Sequence, residues 1–315
     1  MKNIIITGAG GLVATELIIK LLKETEWSLF LLSTHKEKIV ERYKKESRVK
    51  CFTLEEFGEW AKDRDVVFDV CMHTAFARSG DGSALVGSIT YQKELIRLLT
   101  EIKVKFFVNI SSQSVYGKRT QPLWKEDSVL DPDYLYAFGK YTSEVVTELM
   151  LRGGVVKYMN IRLCSVCENA RFVRIFVQNA IDGKPIHLTA PDQHCSFIDV
   201  RDVASALHLL IDKADSLEWN RTYNLGANIV NSIEEIAYKV KCIGEEEYGL
   251  KDVVITSQES DNHIRIGMDS TALMETLNWR PLYSMDDMIR SLFEMLKNSW
   301  GGGAYPLSFK IVYNL

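Results

Sequence analysis

Short apolar runs alternate along the chain with longer stretches in which apolar residues recur every three or four positions. Ile4, Ile5 and Ile6 lead through Thr7 into a glycine-rich turn, Gly8-Ala9-Gly10-Gly11-Leu12-Val13-Ala14. Residues 15–22 then bunch their apolar side chains at helical spacing. Apolar-rich runs at 28–32, 65–72, 106–110 and 155–163 predict buried strands, and periodic segments at 91–99 and 134–151 predict helices. Residues 79–88, rich in Gly and Ser, read as a loop, as do residues 118–133, which are polar with two prolines. Strands alternating with helices through short links imply an α/β fold built on a doubly wound parallel sheet.

Past residue 163 the alternation weakens. Helical patterns at 172–181, 203–211, 233–240 and 285–296, with an extended piece at 184–188 and a strand at 253–256, predict a smaller, mostly helical second domain. The expected division is 1–165, with 196–226 returning to it, against 166–195 and 227–300. A cleft between the two is expected to hold a substrate. Trp300-Gly301-Gly302-Gly303 breaks the last helix, leaving 301–315 as an apolar tail.

The glycine turn carries the first chemical hint. Glycines permit positive φ and close approach of backbone to a ligand, and the free N–H groups at a helix start favour a phosphate. A strand before the turn and a helix after it are the context that a dinucleotide-binding fingerprint requires. The second hint is Tyr136 and Lys140, four apart on a predicted helix and so on one face. A tyrosine is a proton donor with an ordinary pKa of about 10, and a nearby ammonium favours its phenolate.

Together with Ser111-Ser112-Gln113-Ser114-Val115-Tyr116-Gly117 after the strand at 106–110, and with Phe197-Ile198-Asp199-Val200-Arg201-Asp202-Val203-Ala204 and Tyr223-Asn224-Leu225-Gly226 further on, these motifs follow a recognisable order. The chain resembles the extended short-chain dehydrogenase/reductases of the NAD-dependent epimerase/dehydratase type, which modify nucleotide sugars. The resemblance implies a Rossmann fold, with Tyr136 as general acid/base, Lys140 holding the nicotinamide ribose and Ser112 bonding the reacting oxygen. It further implies a dinucleotide held by Gly8, Gly11 and Leu12, by Ser33 at the end of the second strand, by the segment His73-Thr74-Ala75 and by backbone near Val166. His73 itself reads as a satisfied core histidine.

The departures from the family pattern are informative. Family members that bind NAD carry an acidic residue near position 33, which would repel a 2′-phosphate; Ser33 followed by His35 and Lys36 tilts the cofactor toward NADP over NAD. Gln113-Ser114 replaces the Asp-Glu pair of the sugar 4,6-dehydratases, which disfavours dehydration. The substrate-clamping Arg-Pro-Gly-Asp is replaced by Glu259-Ser260-Asp261-Asn262, with Arg265, Arg171 and Arg174 as candidate substitutes, and Arg162-Leu163-Cys164-Ser165-Val166-Cys167 departs from the usual Arg-x-x-Asn-Val-Tyr. The reading is an epimerase or 4-ketoreductase transferring hydride at C4 of a nucleotide-activated sugar, with a reductase of a non-sugar aldehyde or ketone, or a non-catalytic dinucleotide sensor, as rivals. By analogy with relatives that pair through the helices at 91–99 and 134–151, a homodimer is expected.

Composition narrows the picture without redirecting it. The 315 residues carry a net charge of −4 with dispersed Lys and Arg, so no nucleic-acid footprint is expected. No uncharged run reaches membrane-spanning length, and a cytoplasmic location is the default. Six cysteines in a chain this long make no disulfide framework, and Cys164 and Cys167, a lone C-x-x-C, read as buried or loop thiols with no metal.

Overall fold

The computed structural model describes residues 1–78, 80–118, 123–258 and 264–301. The chain divides into two compact units. The first comprises Met1–Gly117, Leu130–Leu163 and Ala204–Tyr223; the second comprises Lys118–Val129, Cys164–Val203 and the described residues from Asn224 onward.

The first unit opens β1 (Asn3–Thr7), α1 (Leu12–Glu24), β2 (Ser28–Leu32), α2 (Lys36–Tyr43), β3 (Val49–Phe52), α3 (Leu54–Lys62) and β4 (Phe68–His73). It continues with α4 (Gly82–Glu101), β5 (Val104–Ser112), α5 (Leu135–Leu151) and β6 (Lys157–Leu163). Among the described residues these strands, with β10 (Arg221–Leu225), make a seven-stranded sheet in the order β10-β6-β5-β4-β1-β2-β3. The pairs from β3 through β6 are parallel. Strand order reverses between β1 and β4, the point at which a doubly wound sheet opens a crevice beyond its strand ends. The expected α/β class is what the chain adopts.

β1 is apolar on both sides because helices cover both faces of a parallel sheet: Ile4, Ile5 and Ile6 are all fully buried. One face packs Ile5, Phe30, Phe57, Phe68, Leu95 and Phe107 into a single cluster. Each such side chain, removed from water, contributes about 1.5–3 kcal/mol.

Residues 82–88, read from the sequence as loop, are instead the first turns of α4. Asp81 caps them, its carboxylate accepting from the Ser83 N–H at 2.9 Å, and Leu85 is buried. The cap and one apolar anchor outweigh the weak helix propensity of Gly and Ser. The elements α2, β3 and α3 carry no strong period in the sequence. α3 begins at a capping box, Thr53 Oγ1 accepting from Glu56 N while Glu56 accepts from Thr53 N.

The second unit holds β7 (Ser165–Val166), α6 (Arg171–Ile181), β8 (Ile186–Leu188), β9 (His194–Ile198) and the start of α7 (Val200–Asp212). Then follow β11 (Val230–Ser232), α8 (Ile233–Tyr248), β12 (Ile255–Ser257), α9 (Thr271–Leu277) and α10 (Met285–Gly301). Its core is Val173, Val177, Val240, Ile289 and Phe293 with their neighbours. The motif at 197–204 is structural here: Asp202 accepts from the Leu282 and Tyr283 N–H groups at 2.9 and 3.0 Å, and Arg201 pairs with Asp199 while lying 3.6 Å over the Tyr283 ring. Cys164 and Cys167 are buried free thiols. Residues 302–315 of the expected tail lie outside the described residues, and among those described no helix is long and apolar enough to cross a membrane.

Candidate active site

Local helix geometry puts Tyr136, Lys140 and Glu144 in one row on α5, and β5, β6 and the segment after β4 supply groups that meet it. Lys140 is 5% exposed. Its Nζ donates to the Ile110 carbonyl at 2.7 Å and lies 4.1 Å from the centre of the Phe76 ring. Tyr136 is half-buried, hydrogen-bonds the Ser112 hydroxyl at the end of β5, and forms the wall of a cavity of about 490 Å³ with Arg78, Gly80, Tyr134 and Leu135. Ser112 Oγ also accepts from the Ser114 N–H at 3.2 Å, which fixes its direction. Ser112, Tyr136 and Lys140 are thus brought together.

The electrostatics differ from the expectation that Lys140 would lower the Tyr136 pKa. Burial pushes the phenol above its ordinary value, and the opposing pulls come from the charge of Arg78 and the hydrogen bond from Ser112. Lys140 is itself pushed down to about 7 by burial, against the attraction of Glu144. Its ammonium therefore exchanges its proton close to neutrality.

Behind Lys140, Glu144 meets Arg162 from β6 at 2.9 Å, and both are 5% exposed. Ser111 Oγ donates to Glu144 Oε1 at 2.5 Å, and Arg162 Nη1 donates to the Tyr116 hydroxyl at 2.9 Å. Burial would lower the Arg162 pKa, but Glu144 and Tyr116 outweigh it and hold the guanidinium charged. The sequence reading missed Glu144, although its position one turn beyond Lys140 was visible. Phe76 and Arg78 had no local signal at all.

The glycine turn lies at the switch point. Gly8 has φ +65°, and a Cβ there would stand 2.8 Å from the Ala75 backbone. Thr74 Oγ1 donates to the Thr7 carbonyl at 2.7 Å, and the Ala75 N–H donates to Thr7 Oγ1 at 3.3 Å. The Gly11 N–H closes the turn on the Gly8 carbonyl at 2.8 Å, and among the described residues no side chain caps the start of α1 at Leu12. Gly8, Gly11, Leu12, His73, Thr74 and Ala75 therefore cluster, leaving first-turn N–H groups of α1 available to an anion.

His73 is satisfied at one nitrogen only. Nδ1 bonds Thr7 Oγ1 at 2.8 Å, whereas Nε2 is buried with no hydrogen-bond partner among the described residues. Burial, with the charge of Lys140, holds its pKa down to about 3, so the ring is neutral and stacks with Tyr91 and Phe107.

Ser33 follows β2, and its Oγ accepts from the His35 N–H at 3.0 Å. Lys36 is engaged by Glu56 at 2.5 Å. Val166 lies in β7 of the second unit, beside Ile198 of β9. Arg171 and Arg174 stand on α6, and the backbone at Arg265 forms an isolated parallel β-bridge with His194. Glu259 to Asn262 lie outside the described residues.

Three comparisons bear on this arrangement. The model of the NAD dependent epimerase/dehydratase family matches residues 4–226. Comparison with curated protein sequences returned no match. Among solved structures, UDP-glucose 4-epimerase from Thermotoga maritima with UDP-glucose is similar at a TM-score of 0.76 and 19% identity, over 95% of this chain and 99% of that one. UDP-glucuronic acid 4-epimerase from Bacillus cereus, in complex with UDP-glucuronic acid and NAD, is similar at 0.77 and 18% identity, over 94% and 99%. dTDP-glucose 4,6-dehydratase from Bacillus anthracis, in complex with NAD, is similar at 0.76 and 17% identity, over 95% and 98%. At such identities the structural likeness speaks for the fold, while the family match spans the glycine turn, the serine strand end and the Tyr-x-x-x-Lys helix in one run. The chain belongs to the NAD-dependent epimerase/dehydratase family.

Proposed function

We propose that the protein is an NAD(P)-dependent enzyme acting at C4 of a nucleotide-activated sugar, as an epimerase or a 4-ketoreductase. The observation that carries this reading is the meeting of Ser112, Tyr136 and Lys140, with the Tyr136 phenol at the wall of a cavity large enough for a sugar ring. A bound nicotinamide supplies or accepts the hydride. Tyr136 gives a proton to, or takes one from, the reacting oxygen, Ser112 holds that oxygen in place, and Lys140 binds the cofactor ribose.

The residues present fit a dinucleotide. The Gly8 turn is a cradle that any Cβ would fill, and the uncapped start of α1 suits a pyrophosphate held at Gly8, Gly11 and Leu12, above Thr74 and Ala75. His73, buried and neutral, shapes the floor. Ser33 brings no carboxylate against a 2′-phosphate, which favours NADP, with His35 and Lys36 just beyond it. Backbone near Val166 is the proposed partner of the nicotinamide carboxamide, and Arg265, Arg171 or Arg174 the proposed partner of a substrate diphosphate. The solved relatives that carry NAD and UDP sugars support a dinucleotide and a nucleotide sugar here.

The test is to denature the purified protein, identify any released dinucleotide by mass spectrometry, and titrate the emptied protein with NADH and NADPH. Retained NAD selects the epimerase; an empty protein preferring NADPH selects the ketoreductase. Binding of neither sinks the enzyme reading.

A homodimer in the cytoplasm completes the proposal. Phe138, Tyr141 and Leu149 form an exposed apolar line on α5, and Val86 is exposed on α4. Sedimentation is expected to give a dimer, and a monomer at micromolar concentration would refute it.

A further inference from the structure

The proposed role of Lys140 requires its Nζ to reach a ribose hydroxyl, yet in this structure that ammonium is covered. One of its donors is spent on the Ile110 carbonyl, and the ring of Phe76 lies over it at 4.1 Å. The same ring stands edge-on to Tyr136 at 6.0 Å. Its seat exists because residue 139 is glycine: a Cβ there would come within 3.1 Å of the Phe76 Cζ. Resting on the proposed function, we infer that Phe76 competes with the cofactor ribose for Lys140, so that its ring must leave this seat when the nicotinamide half binds.

The surroundings allow such a swing. Backbone on either side of Phe76 is tied down, the Ala75 N–H to Thr7 Oγ1 at 3.3 Å and the Ala77 N–H to Ser88 Oγ at 2.9 Å. The ring itself is half-buried and free of hydrogen bonds, so it can turn about its side-chain torsions while the strand end stays in place. Holding an ammonium against an aromatic face, partly out of water, favours the covered state by a factor of about 2–30. A ligand that needs the uncovered state has its apparent affinity reduced by the fraction of molecules in that state. The adenosine half is proposed to sit at the glycine turn and Ser33, so the affinity for ADP serves as the control.

Calorimetric titration of the emptied full-length protein with NADH, NADPH and ADP tests this. Phe76→Ala is expected to bind NADH about 3–30-fold tighter than the unchanged protein, with ADP affinity the same. Gly139→Ala, which crowds the ring by a few tenths of an ångström and is favoured in a helix interior, is expected to move NADH affinity in the same direction by a smaller factor. NADH affinity that is unchanged or weaker in Phe76→Ala, or a parallel change for ADP, would overturn the inference while leaving the dinucleotide site standing. If NADH, NADPH and ADP all fail to bind any of the three proteins, the proposed function falls and takes this inference with it.

Discussion

Tyr136→Phe is expected to lower turnover about 10²–10⁴-fold, the worth of a positioned general acid/base, while dinucleotide affinity stays as it was. The phenol is the proposed proton carrier and makes the hydrogen bond to Ser112, whereas the proposed anchors of the cofactor, at the glycine turn and at Lys140, are untouched by losing one oxygen. The ring also remains to pack against Phe76, so the fold should be unaffected. The measurement is conversion of UDP-glucose and UDP-glucuronic acid, with reduced and oxidised cofactor, beside calorimetric titration of the same variant. Activity within a few-fold of the unchanged protein would remove Tyr136 from the chemistry. Equal loss of cofactor binding would make it a structural residue instead.

Unpairing the buried ion pair behind Lys140 is expected to cost the sheet unit a large part of its stability. Arg162→Met leaves Glu144 charged and buried with the Ser111 hydroxyl and the charge of Lys140 to hold it, a loss of about 3–5 kcal/mol. Glu144→Met strands the guanidinium in the same way. The double variant should recover much of that loss, because replacing both members of a buried pair by apolar groups avoids the uncompensated charge. Urea denaturation of the two single variants and the double one gives the coupling directly. Simple addition of the two single costs would show that the pair is not a unit.

The site was unevenly legible in the sequence, and the unevenness follows sequence distance. Tyr136 and Lys140 belong to one helical turn, so their spacing alone placed them on one face. The glycine turn was legible for the same reason, since strand, turn and helix are consecutive. Glu144 was within local reach and overlooked. Residues 82–88 misled because Gly and Ser outnumber the single cap, Asp81, that starts α4. The elements α2, β3 and α3 escaped notice because they are short and mostly charged on their outer faces. α2 buries only Ile39 and Tyr43.

Local pattern therefore determined the class of fold, the order of most of its elements and the two chemical signatures, because each depends on neighbours a few residues apart. Tertiary structure alone decided what faces those signatures. Pairing of β1 with β4 brings Thr74 and Ala75 against Gly8 and leaves no room for a side chain there. Pairing of β5 with β6 delivers Arg162 to Glu144, and the path of the chain after β4 lays Phe76 over Lys140. These contacts join residues distant in sequence, and their strength comes from burial: removal from water is what ties Arg162 to Glu144, lowers the pKa of Lys140 and keeps His73 neutral, and no spacing along the chain encodes it.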